Sequence, residues 1–374
     1  MTDPAQKYPN LFKPGRIGSV TLANRAIVAP MTRTSATDDG LVTDEMVDHY
    51  RAFARGGWGL VFTEATYTDK QYSQGYINQP GIADAEQARS WSGVVDVFRK
   101  NDVPVFMQLI HAGAVNQGNH WKEGSIAPSA IRPINEQIDR YNGSGPFQVP
   151  KEITKSEIKE TIRDFADAAT RAVELGFHGV EIHGANGYLP DQFLTTYTNS
   201  RTDEYGGSLE NRFRYHLELV SEVRARIPSE IPVGVRISQT KVNDLTYSWP
   251  GGAEDAAYIF SKLGEIDGLF VHIAAHLGCA PVFDTDRSLA GLARQHTGHV
   301  IIANGKLHDP DEAERVLALQ EADFASIGKG ALADPDWPQK IQSGEDPIPF
   351  DPGMVTPLAT LSNTRLWRDS QAIP

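Results

Sequence analysis

Short, continuous runs of apolar residues recur along the whole chain, and each run ends at a polar residue or a glycine. Eight of these runs are rich in β-branched residues: Arg25–Met31, Gly59–Ala65, Pro104–Ile110, Gly179–His183, Pro232–Ser238, Gly268–Ala274, His299–Gly305 and Phe324–Gly328. Continuous rather than alternating apolar runs are typical of parallel strands that are covered on both faces. The pattern therefore predicts eight buried parallel strands.

Helical patterns with recognisable ends separate several of these strands. Across Thr154–Gly176 apolar residues recur three and four positions apart, Thr154 and Glu157 have capping-box spacing, and the final glycine supplies a left-handed stop. Ser208 and Asp309 are predicted N-caps of two further helices. Strands that alternate with helices predict an α/β fold, the (β/α)8 TIM barrel. The alternative is a doubly wound sheet, which needs fewer strands and a glycine-rich nucleotide-binding turn that the sequence lacks.

The connection between the third and fourth predicted strands is longer than the others. Residues 111–150 are rich in Gly, Pro, Asn and Ser and are too long for a plain loop, so they are predicted to form a capping subdomain over one mouth of the barrel. Residues 1–374 are then a single domain with a C-terminal tail, 351–374, around Trp367. The sequence leaves three fates open for this tail: packing on the barrel, reaching a neighbouring subunit, or partial order.

Composition narrows the classes of function. The net charge of −13 argues against nucleic acid or an anionic membrane as the main partner. The single cysteine, Cys279, excludes an internal disulfide and a cysteine-ligated metal centre, and no metal site is expected. The N-terminus, MTDPAQKYPN, lacks the basic start and apolar core of a signal peptide, and no run reaches transmembrane length. A cytoplasmic protein is expected.

Candidate chemistry is concentrated at the end of the fourth predicted strand, in the stretch GVEIHGANGYLPDQ from Gly179 to Gln192. His183 and Asn186 are three residues apart and can aim two hydrogen-bond donors at one oxygen atom. Tyr188 follows and can deliver a proton to a neighbouring atom. Two donors beside a weak acid favour carbonyl-activating chemistry. The alternative at this point is a strand followed by an ordinary polar loop.

Other strand ends add polar groups at the same mouth of the predicted barrel, where such folds place their active sites. Thr32, Gln108 and Arg236 offer a hydroxyl, a carboxamide and a guanidinium, while a structural salt bridge for Arg236 and a satisfied core position for Gln108 stay open. Asn304–Lys306 and Gly328–Gly330 are glycine turns with a lysine after the last two strands, which favours a phosphate site. Flavin mononucleotide (FMN) has the shape that this layout suggests.

The sequence resembles the Old Yellow Enzyme family of FMN-dependent ene-reductases over nearly the full length of the chain. The matching segments are Leu11–Arg33, Gly56–Ala65, Gln108–Gly113, Glu181–Leu194, Arg201–Arg214 and Ala333–Trp337. The resemblance implies that bound FMN is reduced by NADPH or NADH and then reduces an activated alkene, such as an enone, enal, nitroalkene or maleimide. It also implies small-molecule partners only, with a homo-oligomer possible in principle.

The resemblance assigns roles to individual residues. The flavin ring would be lined by Pro30, Met31, Thr32, Ala65, Gln108 and Arg236, and its phosphate held by Gly305, Lys306, Gly328 and Lys329. His183 and Asn186 would bind the activating oxygen of the substrate, and Tyr188 would protonate the α-carbon. Arg201, Asp203 and Glu210 would form a structural salt-bridge network.

The chain departs from the family pattern at three positions. Lys329 stands where arginine is common, which keeps the charge but loses the bidentate fork. Ile110 stands where the yeast-type members have a tryptophan over the substrate, so either a wider substrate site bordered by Ile110 or a flipped binding pose is expected. Thr32 replaces the cysteine of another subgroup.

Two other classes of function remain open: a flavin-free phosphate-binding isomerase or lyase, and a non-catalytic binding protein. The physiological alkene, the preferred nicotinamide, the stereochemistry and the subunit number are not determined.

Overall fold

The computed structural model describes residues 7–371, so part of the N-terminal stretch compared with a signal peptide and the last residues of the tail lie outside the described residues. The barrel strands are β1 Ala26–Val28, β2 Leu60–Phe62, β3 Val105–Ile110, β4 Gly179–His183, β5 Val233–Ile237, β6 Leu269–Ile273, β7 Val300–Asn304 and β8 Phe324–Ile327. Each strand pairs in parallel with the next, and β8 pairs with β1, which closes the barrel. The predicted TIM barrel is confirmed, and most strands are shorter at their ends than the sequence pattern suggested.

The helices surround the barrel and cover its outer face. They span Asp44–Arg55, Ala85–Ser90, Ser92–Asn101, Lys155–Leu175, Leu189–Leu194, Leu209–Arg226, Ala253–Gly264, Leu289–His296, Pro310–Ala318, Lys329–Ala333, Trp337–Ser343 and Leu361–Gln371. The predicted capping box is present: Thr154 accepts from the Glu157 N–H, and the Glu157 carboxylate accepts from the Thr154 N–H. Ser208 and Asp309 cap their helices as predicted.

The end of the barrel opposite the strand C-termini is filled by aromatic side chains. Phe62, Phe106 and Phe270 pack together there, and the hairpin Gly15–Ile17/Val20–Leu22 adds Ile17 and Leu22 to the same cluster. These rings leave no room for side chains on β4 and β5 at this level. A Cβ on Gly179 would lie 2.9 Å from the Phe106 ring, and one on Gly234 would lie 2.2 Å from the Phe270 ring. The barrel is therefore closed at this end, and only the opposite mouth is left for a ligand.

Two segments build walls above that mouth. Ile126–Ala127 in the excursion pairs in parallel with Lys151–Glu152 directly after it, and a 3-10 turn spans Asp139–Tyr141. The described part of the tail packs on the barrel, because the Arg33 guanidinium donates to the Thr360 carbonyl and to the Thr364 hydroxyl. No helix within residues 7–371 is both long and apolar enough to cross a membrane.

The segment after the fourth strand is braced by ion pairs. Arg201 donates from Nη2 to Asp203 Oδ2 at 2.6 Å and lies 3.5 Å from a Glu152 oxygen. Glu210, which was expected to join this network, does not: within residues 7–371 it is in none of the ion pairs closer than 4.0 Å. Arg212 instead holds the segment through the carbonyls of Leu194 and Gly207.

Candidate active site

A cavity of about 660 Å³ opens at the C-terminal ends of the barrel strands. The residues proposed from sequence that line it are Pro30, Met31, Thr32, Ala65, Gln108, His183, Asn186, Tyr188, Arg236 and Lys329. The lining residues that sequence reasoning missed are Arg33, Arg140, Tyr141, Val242, Leu332, Phe350, Pro352, Val355, Thr356 and Ala359. Most of the missed residues come from the capping excursion and the tail. The sequence predicted that residues 111–150 cap the barrel and left packing of the tail open, but it did not indicate which of their side chains would reach the cavity.

His183 ends β4 with its imidazole facing the cavity. Its Nδ1 lies 3.4 Å from the Ala185 N–H, which assigns Nδ1 as the acceptor and leaves the proton on Nε2. Burial lowers the pKa of His183 well below its usual value, and the nearby charge of Arg236 adds to the shift. The ring is therefore neutral at physiological pH and presents one N–H donor to the cavity.

Asn186 supplies a second donor from an unusual backbone conformation. Its φ is +63°, in the left-handed region that asparagine tolerates better than most residues. The Asn186 N–H donates to Ser238 Oγ at 2.8 Å, and the Asn186 carbonyl accepts from the Val242 N–H at 3.0 Å. Because its main chain is bonded on both sides, the carboxamide is held at the cavity wall beside His183.

Tyr188 packs against the imidazole of His183. Its ring centroid is 4.7 Å from that of His183, at an interplanar angle of 65°. The Tyr188 hydroxyl lies 2.7 Å from the Tyr76 hydroxyl, and either can be the donor. Burial raises the pKa of Tyr188 well above its usual value, so the phenol carries its proton at neutral pH. The group is suited to give up a proton only to a strongly basic atom held next to it.

A buried ion pair anchors the loop that carries Asn186 and Tyr188. Lys241 Nζ lies 2.7 and 2.8 Å from the two carboxylate oxygens of Asp191, and their side chains are 1% and 0% exposed. Asp191 Oδ2 also accepts from the Gly187 N–H at 2.7 Å. The pair therefore ties the loop after β4 to the loop after β5.

Below the cavity, a polar cluster spans three strands of the barrel wall. Gln108 Nε2 on β3 donates to Glu181 Oε1 on β4 at 2.7 Å, and Glu181 Oε2 lies 2.7 Å from His272 Nδ1 on β6. The side chains of Glu181 and His272 are fully buried. Gln108 is therefore partly satisfied as a core residue, yet it also lines the cavity.

Arg236 faces the cavity without a carboxylate partner. Its Nη2 donates to Asn304 Oδ1 at 3.1 Å, and no ion pair within 4.0 Å involves it among residues 7–371, so the salt-bridge alternative is not observed. Its Nε is buried and has no hydrogen-bond partner among the described residues. Burial lowers the pKa of Arg236, while the Glu181 charge opposes that shift. A buried donor without an acceptor points to an acceptor supplied by a ligand.

The two lysines of the glycine turns are separated in space. Lys329 lines the cavity, with its Nζ 5.3 Å from the Phe350 ring centroid. Gly305 and Lys306 border a neighbouring depression of about 370 Å³. Gly305 has a φ of +132°, and a Cβ there would lie 2.5 Å from the Ala275 carbonyl oxygen. Gly328 directly follows β8, and a Cβ there would lie 3.7 Å from Sδ of Met31, which lines the cavity.

Ile110 lies outside the cavity lining. Its side chain is fully buried in a cluster that includes Ala65, Tyr67 and Tyr188. Ile110 is therefore packed in the apolar core beside the cavity, at the last position of β3.

The chemistry of these donors fits FMN. A flat ring with acceptors on its pyrimidine edge matches the carboxamide of Gln108 and the unpartnered guanidinium nitrogen of Arg236. Lys329 lines the same cavity and begins the helix that Gly328 precedes, where a phosphate would be held. The free edge of such a ring would then face His183, Asn186 and Tyr188.

Comparison with known proteins gives consistent matches. The sequence model of the NADH:flavin oxidoreductase / NADH oxidase family matches residues 10–346. An NADH oxidase from Thermoanaerobacter brockii is 31% identical over 90% of this chain and 51% of its own length. A probable flavin mononucleotide-dependent alkene reductase from Leishmania infantum is 39% identical over 61% of this chain and 63% of its own length. The chain thus spans about half to two thirds of these two relatives. The solved structure of an Old Yellow Enzyme homologue from Zymomonas mobilis is 29% identical, with a TM-score of 0.83 over 94% of this chain and 99% of that one.

Proposed function

The chain belongs to the NADH:flavin oxidoreductase / NADH oxidase family, in agreement with its resemblance to Old Yellow Enzyme, and on that basis we propose that it is an FMN-dependent ene-reductase. NADPH or NADH is the reductant, and the substrate is an alkene activated by a carbonyl or nitro group. The relative from Leishmania infantum, named as a probable alkene reductase, supports this substrate class. The observation that carries the proposal is the convergence of His183, Asn186 and Tyr188 on one cavity that also holds Gln108 and Arg236.

FMN supplies hydride transfer when it is bound. His183 and Asn186 act on the substrate: the Nε2–H of the neutral imidazole and the carboxamide N–H donate to its carbonyl or nitro oxygen. These bonds strengthen as negative charge develops on that oxygen, so they stabilise the transition state more than the ground state. Loss of one such donor is expected to cost on the order of 10²–10³ in rate.

Tyr188 is the proposed acid for the α-carbon of the alkene. Its raised pKa keeps the phenol protonated, and the Tyr76 hydroxyl at 2.7 Å can donate to the phenolic oxygen as the proton leaves. The Tyr188 ring belongs to a buried apolar cluster that includes Ala65 and Ile110. Gln108 and Arg236 would hold the pyrimidine edge of the flavin, and Lys329, which lines the same cavity, would hold the phosphate together with the backbone at Gly328.

Separate assays of the two half-reactions test this assignment. In Tyr188→Phe, reduction of the bound flavin by nicotinamide should survive, while reduction of an enone should slow by roughly 10²–10⁴. Tyr258→Phe, which removes a phenol from the outer helix Ala253–Gly264, is the matched control and should leave both half-reactions unchanged. Equal loss of both half-reactions in Tyr188→Phe would show that Tyr188 has another role. Purified protein that binds no FMN would favour the flavin-free isomerase or lyase instead.

A further inference from the structure

Glu181 is a fully buried carboxylate in the middle of the barrel, and the roles proposed above do not use it. Gly179, Glu181 and His183 alternate along β4 and share its inward-facing side, so Glu181 lies two residues before His183. Its two oxygens accept from different strands: Oε1 from the Gln108 Nε2–H at 2.7 Å, and Oε2 from His272 Nδ1 at 2.7 Å. Burying a charge is costly, so a carboxylate at this depth needs a reason to be there.

The hydrogen bond to Glu181 fixes the carboxamide of Gln108. A free glutamine side chain can present either its oxygen or its nitrogen to a ligand. Here Nε2 is committed to Glu181, so one remaining N–H and the amide oxygen are left in a set order toward the cavity. The remaining N–H of Gln108 can donate to a carbonyl oxygen on the edge of a ligand ring, and the amide oxygen can accept from an N–H on the same edge.

Glu181 also adds a negative charge to a region where Arg236 supplies the positive one. The two side chains are on adjacent strands, β4 and β5, and are close enough for the Glu181 charge to oppose the lowering of the Arg236 pKa by burial. A cation near the pyrimidine edge favours the reduced, negatively charged flavin ring, and an anion near it opposes that form.

We propose that Glu181 is a positioning residue that orients Gln108 toward FMN and whose charge holds the reduction potential of the bound flavin down. This inference rests on the proposed FMN site. The neutral isostere Glu181→Gln keeps an oxygen that accepts from Gln108, so it removes the charge and preserves the shape. Its expected effect is a rise in the flavin reduction potential, seen as a roughly tenfold or greater gain in affinity for reduced FMN relative to oxidised FMN.

Glu181→Asp separates the two roles, because it keeps the charge but withdraws the carboxylate from Gln108 by one methylene. It should weaken binding of oxidised FMN by roughly two- to tenfold, the value of one lost hydrogen bond, while the potential stays near that of the wild type. A purely structural Glu181 would change folding but would not change the potential of flavin that still binds.

The experiment measures the FMN dissociation constant and the reduction potential of the FMN-loaded wild type, Glu181→Gln and Glu181→Asp. An unchanged or lower potential in Glu181→Gln overturns the proposal. If that variant does not fold, Glu181→Asp decides: unchanged affinity for oxidised FMN overturns the positioning role, and weakened affinity at a wild-type potential supports it. Failure of the wild type to bind FMN refutes the proposed function, whereas tight FMN binding with no shift in Glu181→Gln refutes this inference alone.

Discussion

Replacing Lys241 by methionine tests how the site loop is held. Methionine is similar in length to lysine and apolar, so the substitution fills most of the same space and removes only the charge. Asp191 is then left 0% exposed, with the Gly187 N–H at 2.7 Å as its remaining strong donor. Removing one partner of a buried ion pair typically costs about 3–5 kcal/mol. Because the Gly187 bond survives, we expect a loss near the lower end, about 3 kcal/mol in the free energy of unfolding.

The loss should depend on pH. Burial already raises the pKa of Asp191, and removal of Lys241 takes away the charge that opposes this shift. The carboxyl in the variant can therefore take up a proton as the pH falls, which relieves the cost of the buried charge. The destabilisation should be largest at pH 8 and smaller at pH 5.

Urea unfolding of the wild type, Lys241→Met and the double variant Asp191→Asn/Lys241→Met, each at both pH values, provides the measurement. The double variant has no buried charge and keeps an oxygen that can accept from Gly187, so it should recover much of the loss. The alkene half-reaction should slow in Lys241→Met, since Asn186 and Tyr188 lie on the freed loop, while flavin reduction persists. A single variant within 1 kcal/mol of the wild type at both pH values, or a double variant as unstable as the single one, would refute the reasoning.

Three further predictions concern other parts of the molecule. Lys329→Ala should weaken FMN binding by roughly 10- to 100-fold, as expected for a charge-assisted hydrogen bond, whereas Lys306→Ala should have a much smaller effect because its side chain borders a separate depression; isothermal titration with FMN compares them. Tyr76→Phe should slow the alkene half-reaction by roughly two- to tenfold through loss of the 2.7 Å bond to Tyr188, and a rate equal to the wild type in stopped flow would contradict that role. Burial raises the pKa of Asp164 to about 7, so ionisation of this carboxyl destabilises the folded state. The destabilisation is present in full above pH 7. Asp164→Asn should therefore stabilise the protein at pH 8 by on the order of 1 kcal/mol after allowance for solvent screening, and less at pH 5, as read from urea unfolding.

The barrel could be predicted from sequence because its signal is local. A strand covered on both faces is a continuous apolar run, and Ser208 or Thr154 caps a helix through residues only three positions away. His183, Asn186 and Tyr188 were found for the same reason, since they share one short stretch after one strand.

The rest of the site depends on which strands become neighbours and on how far each side chain reaches. Glu181 meets His272, 91 residues away, only because both face inward from the barrel wall. Lys241 and Asp191, 50 residues apart, meet where the loop after β5 packs against the helix Leu189–Leu194. Ile110 was expected beside the substrate, but its side chain is fully buried in the apolar cluster that includes Tyr188. No periodicity along the chain encodes these contacts.

The proposed function requires FMN to lie across the mouth of the barrel with its reactive edge toward His183, Asn186 and Tyr188. A crystal structure of the FMN-loaded protein with a bound enone decides whether it does. We expect the pyrimidine edge on Gln108 and Arg236, the phosphate beside Lys329, and the enone oxygen within hydrogen-bond distance of His183 Nε2 and the Asn186 carboxamide. FMN bound elsewhere, or an enone oxygen that contacts neither donor, would contradict it.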